Sequence, residues 1–206
     1  MAKKEKKERK PLSRKAKIII PIAIVVGLVV LIIGGFTIGM KLEENNSFCG
    51  SCHTQPEMTY LQQSTVNPPP TLASFHISQE EVRCVYCHSG PGITGRASAL
   101  VHGLLNGVKL WTGNAQQPAV FPGNFPVANC LKCHADFIAN ASPQGGRDTG
   151  HWHYYLAQWK KIDTNAAVCT TCHAPHATGG DPNYSYINKD NLRPVCSACH
   201  AKIRDQ

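Results

Sequence analysis

At 206 residues the chain has room for one domain and an appendage. Its formal charge of +8 suggests nucleic acid only until it is located: residues 1–17 hold nine Lys/Arg against two acids, so about seven of the eight charges sit there. The body of the chain is near neutral, which excludes the broad basic face that a nucleic-acid partner requires.

Residues 1–17 (MAKKEKKERKPLSRKAK) are charged and of low complexity, without apolar periodicity, and are expected to form a disordered tail in water. No residue from 18 to 40 is charged. At 1.5 Å per residue this run spans about 35 Å as a helix, enough for a hydrocarbon core of roughly 30 Å. It is predicted to be a single N-terminal transmembrane helix. A cleaved signal peptide fits less well, because the run exceeds the roughly 7–15 residues of a signal h-region and no A-x-A site follows. Pro21 is expected near the start of this helix, where a missing N–H costs little. The basic cluster ahead of it places 1–17 in the cytoplasm and 41–206 on the periplasmic or extracytoplasmic side of the inner (cytoplasmic) membrane. Residues 41–47 are expected to be a short polar hinge.

The body is punctuated by one pattern: Cys49-Gly50-Ser51-Cys52-His53, Cys84-Val85-Tyr86-Cys87-His88, Cys130-Leu131-Lys132-Cys133-His134, Cys169-Thr170-Thr171-Cys172-His173 and Cys196-Ser197-Ala198-Cys199-His200. Five copies use all ten cysteines. C-x-x-C-H is the attachment signature of c-type haem: two thiols bond the two vinyl groups of one porphyrin, and the following His gives the iron its first axial imidazole. The rival chemistries fit less well. Zinc knuckles take their ligands in fours, two such pairs per ion, which leaves one pair over, and neither zinc, nor disulfides, nor a thioredoxin-like redox pair explains a His after every second Cys. Five covalently bound haem c groups are expected, on the thiol pairs Cys49 and Cys52, Cys84 and Cys87, Cys130 and Cys133, Cys169 and Cys172, and Cys196 and Cys199. The expected proximal iron ligands are His53, His88, His134, His173 and His200.

Between the motifs, 62–72 (QQSTVNPPPTL) is predicted as a loop, extended at Pro68-Pro69-Pro70. Residues 89–94 are another loop, and 95–111 are a helix whose Leu100, Leu104, Val108 and Trp111 recur at three- and four-residue intervals. Residues 112–129 and 139–150 are irregular, and 151–162 (HWHYYLAQWKKI) form a second helix. The spacings between first cysteines, 35, 46, 39 and 27 residues, exclude a solenoid of equal units. With so few apolar runs the haem macrocycles must themselves form the core. The expected fold is mainly α with low regular structure and essentially no sheet: an anchor helix plus a compact multihaem cytochrome c domain.

Five histidines lie outside the motifs, His76, His102, His151, His153 and His176, matching five irons that each need a sixth ligand. His151 and His153 sit about 200° apart on a helix, so they serve two different irons. His176 is too close to His173 to reach the opposite face of the same porphyrin and is expected to ligate a neighbouring iron. Met58 is a further candidate; thioether ligation would raise the potential of the first haem, against the alternative that it only fills space.

A basic tail, one uncleaved anchor and a C-x-x-C-H motif just beyond it resemble the membrane-anchored multihaem quinol dehydrogenases of the NapC/NirT/NrfH family. The likeness runs from Ile18 to about His176. It includes Cys52-His53-Thr54 followed by a Pro and a Met, His76 ahead of the second motif, Pro91-Gly92 after it, and His173 with His176 close behind. Members usually carry four haems, so the fifth motif is an extension, and where one subgroup has an axial Met two residues after the first motif His this chain has Gln55. The resemblance implies oxidation of membrane quinol beside the first haem and relay of electrons to a periplasmic reductase or cytochrome. It implies a quinol site on the helix after the second motif, where Arg96, His102 and Lys109 hold comparable places, His102 being either a proton acceptor or an axial ligand. Assembly as an oligomer or complex subunit is compatible with it. Two rivals are a pure electron-transfer subunit tethered to a larger respiratory or photosynthetic complex, and a terminal reductase of small oxyanions, which needs an open iron position.

Overall fold

The computed structural model describes residues 13–52, 55–119, 125–144, 150–164, 166–187 and 189–203. His53 and the expected disordered stretch over 1–12 fall outside the described residues. Helix accounts for 70% of the structure and no strand occurs among the described residues, so the fold is mainly α. The chain divides into two compact units between Lys41 and Leu42.

The first unit is the greater part of α1 (Arg14–Glu43), the one helix among the described residues long and apolar enough to cross a membrane. It begins four residues ahead of the apolar run, because Ser13 caps it: Oγ accepts from Ala16 N–H at 3.2 Å and the Ser13 carbonyl accepts from Lys17 N–H at 3.1 Å. Arg and Lys are good helix formers, so 14–17 are helical where a disordered tail was expected. Pro21 consequently lies two turns inside the helix instead of at its start, where it removes one backbone hydrogen bond. At the other end α1 runs on to Glu43 and α2 (Asn46–Cys52) starts three residues later. The hinge expected over 41–47 therefore shrinks to residues 44 and 45. Asn45 makes so abrupt a join workable, its Oδ1 accepting from Ser47 N–H at 3.1 Å and Ser47 Oγ at 2.7 Å.

In the second unit every cysteine pair is wound on a helix. Besides α2 these are α5 (Cys84–His88), α7 (Val127–Ala139), α9 (Cys169–Cys172) and α10 (Lys189–Ile203). A helical turn puts residues three apart on one side, so the two thiols of a motif share a face, joined at the second and fifth motifs by the imidazole that follows. These helices pack in sequence order, α2 on α5, α5 on α7, α7 on α9 and α9 on α10. Around them lie α3 (Glu57–Gln63) and α4 (Leu72–Gln79), α6 (Gly92–Trp111) against α2, and α8 (His151–Ile162) against both α7 and α10. The helix expected over 151–162 has those bounds. That expected over 95–111 starts three residues earlier, with Pro91 as its N-cap and Gly92 at φ +66°. Gly95 is required there, because a Cβ would collide with the Gly90 backbone.

The apolar core is sparse. Among the described residues only Val85, Trp159, Ala166 and Tyr186 are buried hydrophobics. At about 1.5–3 kcal/mol each they fall far short of the 1–2 kcal/mol of conformational entropy lost per ordered residue. Polar stitches tie remote segments instead: Tyr186 donates its hydroxyl to the Pro69 carbonyl at 3.0 Å, and Ala73 N–H donates to the Pro175 carbonyl at 2.8 Å.

The best-built local feature is the start of α4. Thr71 and Ser74, both 1% exposed, form a reciprocal capping box, each side-chain oxygen accepting from the other's backbone N–H at 3.1 and 2.9 Å. The cap sets the direction of α4 and so the position of His76. Thr71→Ala is expected to destabilise the protein by about 1–2 kcal/mol in denaturant unfolding; an unchanged midpoint would show that the cap does not hold α4.

Candidate metal centres

Among the described residues four imidazole pairs recur, each joining a motif His to a His from elsewhere. Ring centroids are 6.1 Å apart for His88 and His176, 5.9 Å for His134 and His76, 6.3 Å for His173 and His153, and 6.4 Å for His200 and His151. Two metal–nitrogen bonds of about 2 Å each, added to the two ring radii, give a separation of about 6 Å, so each gap fits one iron held by two imidazoles. The rings are close to parallel in the first and third pairs, at 27° and 21°, and steeply inclined in the others, at 79° and 63°. His151 and His153 do turn to different neighbours, and His176 does meet the His of another motif.

The other ring nitrogens suit the same chemistry. His76 Nδ1 donates to the Leu72 carbonyl at 2.9 Å and His173 Nδ1 to the Ser185 carbonyl at 3.0 Å, which fixes the tautomer and leaves Nε2 free to ligate. Nδ1 of His153 and of His176 is buried without a hydrogen-bond partner, the kind of orphan that a bound group satisfies. Burial, followed by repulsion from His88, pushes the pKa of His176 down to about 4; burial, then His173, lowers that of His153. Both imidazoles are therefore neutral near pH 7, the form with a lone pair to give. Tyr60 stacks flat on His176, centroids 3.9 Å apart and planes 15° apart.

The motif thiols are unevenly placed. Cys49, Cys84, Cys130, Cys169, Cys172 and Cys199 are half-buried, whereas Cys87, Cys133 and Cys196 are exposed; the side chain of Cys52 lies outside the described residues. Among the described residues two motifs leave the helix at their imidazole: His134, at a kink in α7, has φ −105° and ψ 20°, and His173, just past α9, has φ −102° and ψ 79°. The shared helical face of thiols and imidazole is therefore interrupted at the third motif, between Cys133 and the ring of His134, and at the fourth, between Cys172 and that of His173. The thiols of Cys49 and Cys84, and those of Cys130 and Cys169, are hydrogen-bonded to each other, the second contact drawing Cys169 down to about 6. Burial raises the pKa of Cys87, Cys172 and Cys199. The nine cysteines whose side chains are described are free of disulfides. No cluster of three or more His, Cys, Asp or Glu forms among the described residues, whereas a zinc knuckle needs four ligands converging.

The motifs are clasped to one another. Asn46 Oδ1 accepts from Cys84 N–H at 2.9 Å and Glu44 pairs with Arg83 at 3.1 Å, joining the first motif to the second. Asn129 donates to the Cys87 carbonyl at 2.9 Å, and Lys132 Nζ donates to the Ser89 carbonyl at 2.7 Å and to that of Tyr86. The third motif thus caps the C-terminus of α5, where carbonyls lack helical partners and a cation is favoured.

At the first motif, the Met58 sulfur lies so close to Gly50 that a Cβ there would stand 2.5 Å from it. His102 is exposed on α6 and meets no other histidine ring among the described residues. The residues compared with a quinol site are not gathered: Arg96 faces Glu43, with Nη1 and Oε2 3.2 Å apart, while His102 and Lys109 lie together on another flank about 120° round the helix. Glu43 is a functional candidate that sequence reasoning missed, since nothing in its spacing from Arg96 signals the pairing. Asn46, Asn129, Lys132 and Tyr60 were missed for the same reason.

Comparison with known proteins bears on these motifs. The family described as "Doubled CXXCH motif" matches residues 163–205, the fourth and fifth motifs. The chain is also similar to the multiheme cytochrome MtrA of Shewanella baltica (strain OS185), 23% identical over 165 residues, 80% of this chain. It spans about a third of that relative's length, 34%. No solved structure matches. Motifs and relatives together make the chain a multihaem c-type cytochrome with covalently bound haem c.

Replacing His176 by Ala is expected to convert one low-spin haem to a high-spin, cyanide-binding form in EPR, and His102→Ala to leave that haem low-spin. His176 takes up its proton near 6.5 in the unfolded chain but only near 4 when folded, so it makes stability fall as pH drops through that interval and adds nothing to the pH dependence above it. Iron ligation opposes protonation further. In an acid titration the low-spin spectrum should survive through pH 6 and collapse only toward pH 4 or below; loss near 6.5 would count against a buried ligand.

Proposed function

We propose that the chain is a membrane-anchored pentahaem cytochrome that takes electrons from membrane quinol and relays them, through haems ordered as the motifs are, to a periplasmic reductase or another cytochrome. The observation that carries this is the packing of the motif helices in sequence order from α2 to α10, behind an apolar N-terminal helix. An order of that kind defines a wire with one end at residue 49, a few residues past the apolar run, and the other near the C-terminus.

Haem c bound at each motif supplies reversible one-electron chemistry. The proposed attachment points are the ten motif thiols, from Cys49 and Cys52 through Cys130 and Cys133 to Cys196 and Cys199. His88 and His176, His134 and His76, His173 and His153, and His200 and His151 are the proposed axial pairs. Bis-imidazole ligation fills both axial positions, which disfavours the terminal-reductase alternative at four motifs. His53 is the proposed proximal ligand of the first motif, and Met58, whose sulfur lies against Gly50, is the proposed second ligand. Asn46, Asn129 and Lys132 fix the distances between successive motifs, on which a relay depends.

Oxidation of quinol releases protons, and Glu43 is the carboxylate beside α2 that would accept one at an Oε atom, held in place by the Arg96 guanidinium. His102 and Lys109 lie away from this pair. That separation favours the second reading, in which a larger complex owns the quinone site and this chain is its tethered relay.

Haem reduction by a menaquinol analogue in detergent distinguishes them. The first reading predicts rapid reduction, slowed about 100-fold in Glu43→Gln, with dithionite reduction unchanged. Absence of quinol-driven reduction in the isolated holoprotein, with activity only in the company of co-purified partners, would leave the tethered relay.

A further inference from the structure

We propose that α6 is an interfacial helix whose bare apolar stripe lies in the headgroup layer of the same bilayer that α1 enters. Ile93, Val101, Leu104, Leu105, Val108 and Trp111 fall on one side of α6 and are exposed, Ile93 by 85%, Leu104 by 69% and Trp111 by 88%. With Ala97 they recur at three- and four-residue intervals for the whole helix, and no charge interrupts them. The opposite side carries the packing: Arg96 and Gly103 turn toward Glu43. Exposed apolar surface of this extent on a cytochrome domain marks an interaction face.

The occupant follows from what holds the helix. Arg96 is paired with Glu43 at 3.2 Å, the two side chains only 20% and 15% exposed, and Glu43 is three residues beyond Met40, the last of the uncharged run. Three residues span at most about 11 Å, so α6 is pinned by its first turns close to where the chain leaves the bilayer. Its edges are those of a helix lying in the membrane plane, with His102 and Lys109 along one border of the stripe and a terminal Trp at the level where indoles prefer to sit. From residue 93 to 111 the stripe is about 27 Å long, too long for a single porphyrin of this chain to cover. Partial burial of α6 in lipid would fix the height of the first motif above the membrane, and it needs only that α1 be an anchor, not that quinol be oxidised.

On the pentahaem reading, on which the labelling rests, all native cysteines of the holoprotein are consumed by haem, so an introduced cysteine is a unique labelling site. Full-length holoprotein carrying Leu104→Cys or Val108→Cys, with Ile33→Cys as the bilayer reference and Gln144→Cys as the aqueous one, is spin-labelled in quinone-free lipid nanodiscs. The collision ratio for oxygen against a water-soluble nickel chelate is then measured. Labels at 104 and 108 are expected to shift from the water-like ratio of 144 toward the lipid-like ratio of 33. Water-like ratios at both, or shielding from both reagents, which would mean cover by a second copy, a protein partner or a haem, would overturn the proposal. A water-like ratio at 33 would overturn it together with the anchor. Quinol-driven reduction, measured separately, is unaffected by either result.

Discussion

The approach of two imidazoles to about 6 Å, repeated four times, is the constraint on which the second unit depends. Each pair joins segments well separated in sequence: α5 to the stretch after the fourth motif, α7 back to α4, and α8 forward to both later motifs. Closing such loops costs entropy that the four buried apolar side chains among the described residues cannot offset. Metal–ligand bonds and thioether links can, because binding energy at a site absent from the unfolded chain becomes folding energy. Folding and cofactor loading are then a single process, and the sparse core is a consequence of it.

The same arrangement sets up function. Consecutive motif helices touch, and short polar clasps hold them. Asn46 meets Cys84, while Asn129 and Lys132 cap the carbonyl end of α5. These contacts serve local needs first, since they satisfy backbone groups that helix ends leave open. Their by-product is a rigid register between neighbouring sites. Because α8 presents His151 to His200 and His153 to His173, a single helix bridges the last two motifs. Tyr60 does something comparable at the other end, lying flat on His176 from a helix packed against the first motif.

Much of this was legible in the sequence. The motifs, the anchor run and the helix over 151–162 follow from spacing and composition, and the division of His151 and His153 between two partners follows from helical geometry alone. The pairing of His76 with His134 does not, because it depends on how Thr71 and Ser74 start α4 and on the Pro69 and Pro175 carbonyls that tie that region to a distant one. The kink that separates Cys133 from His134 is equally silent, since the third motif has the same spacing as the rest. Helix ends were the weak point. Ser13 extends α1 backward and leaves Pro21 inside it, and Asn45 collapses the expected hinge, both through single side-chain caps that periodicity does not register. The apolar stripe of α6 was visible as a pattern. Only the structure shows that none of the described residues covers it, and that Arg96 turns away from His102 and Lys109 to meet Glu43.

The central claim is that histidines from separate segments converge in pairs on single iron atoms. An anomalous difference map of the holoprotein, recorded at the iron absorption edge, tests it directly. The account predicts iron peaks between His88 and His176, His134 and His76, His173 and His153, and His200 and His151. Irons lying away from these pairs, or motif histidines joined to irons whose sixth ligand comes from elsewhere, would contradict it.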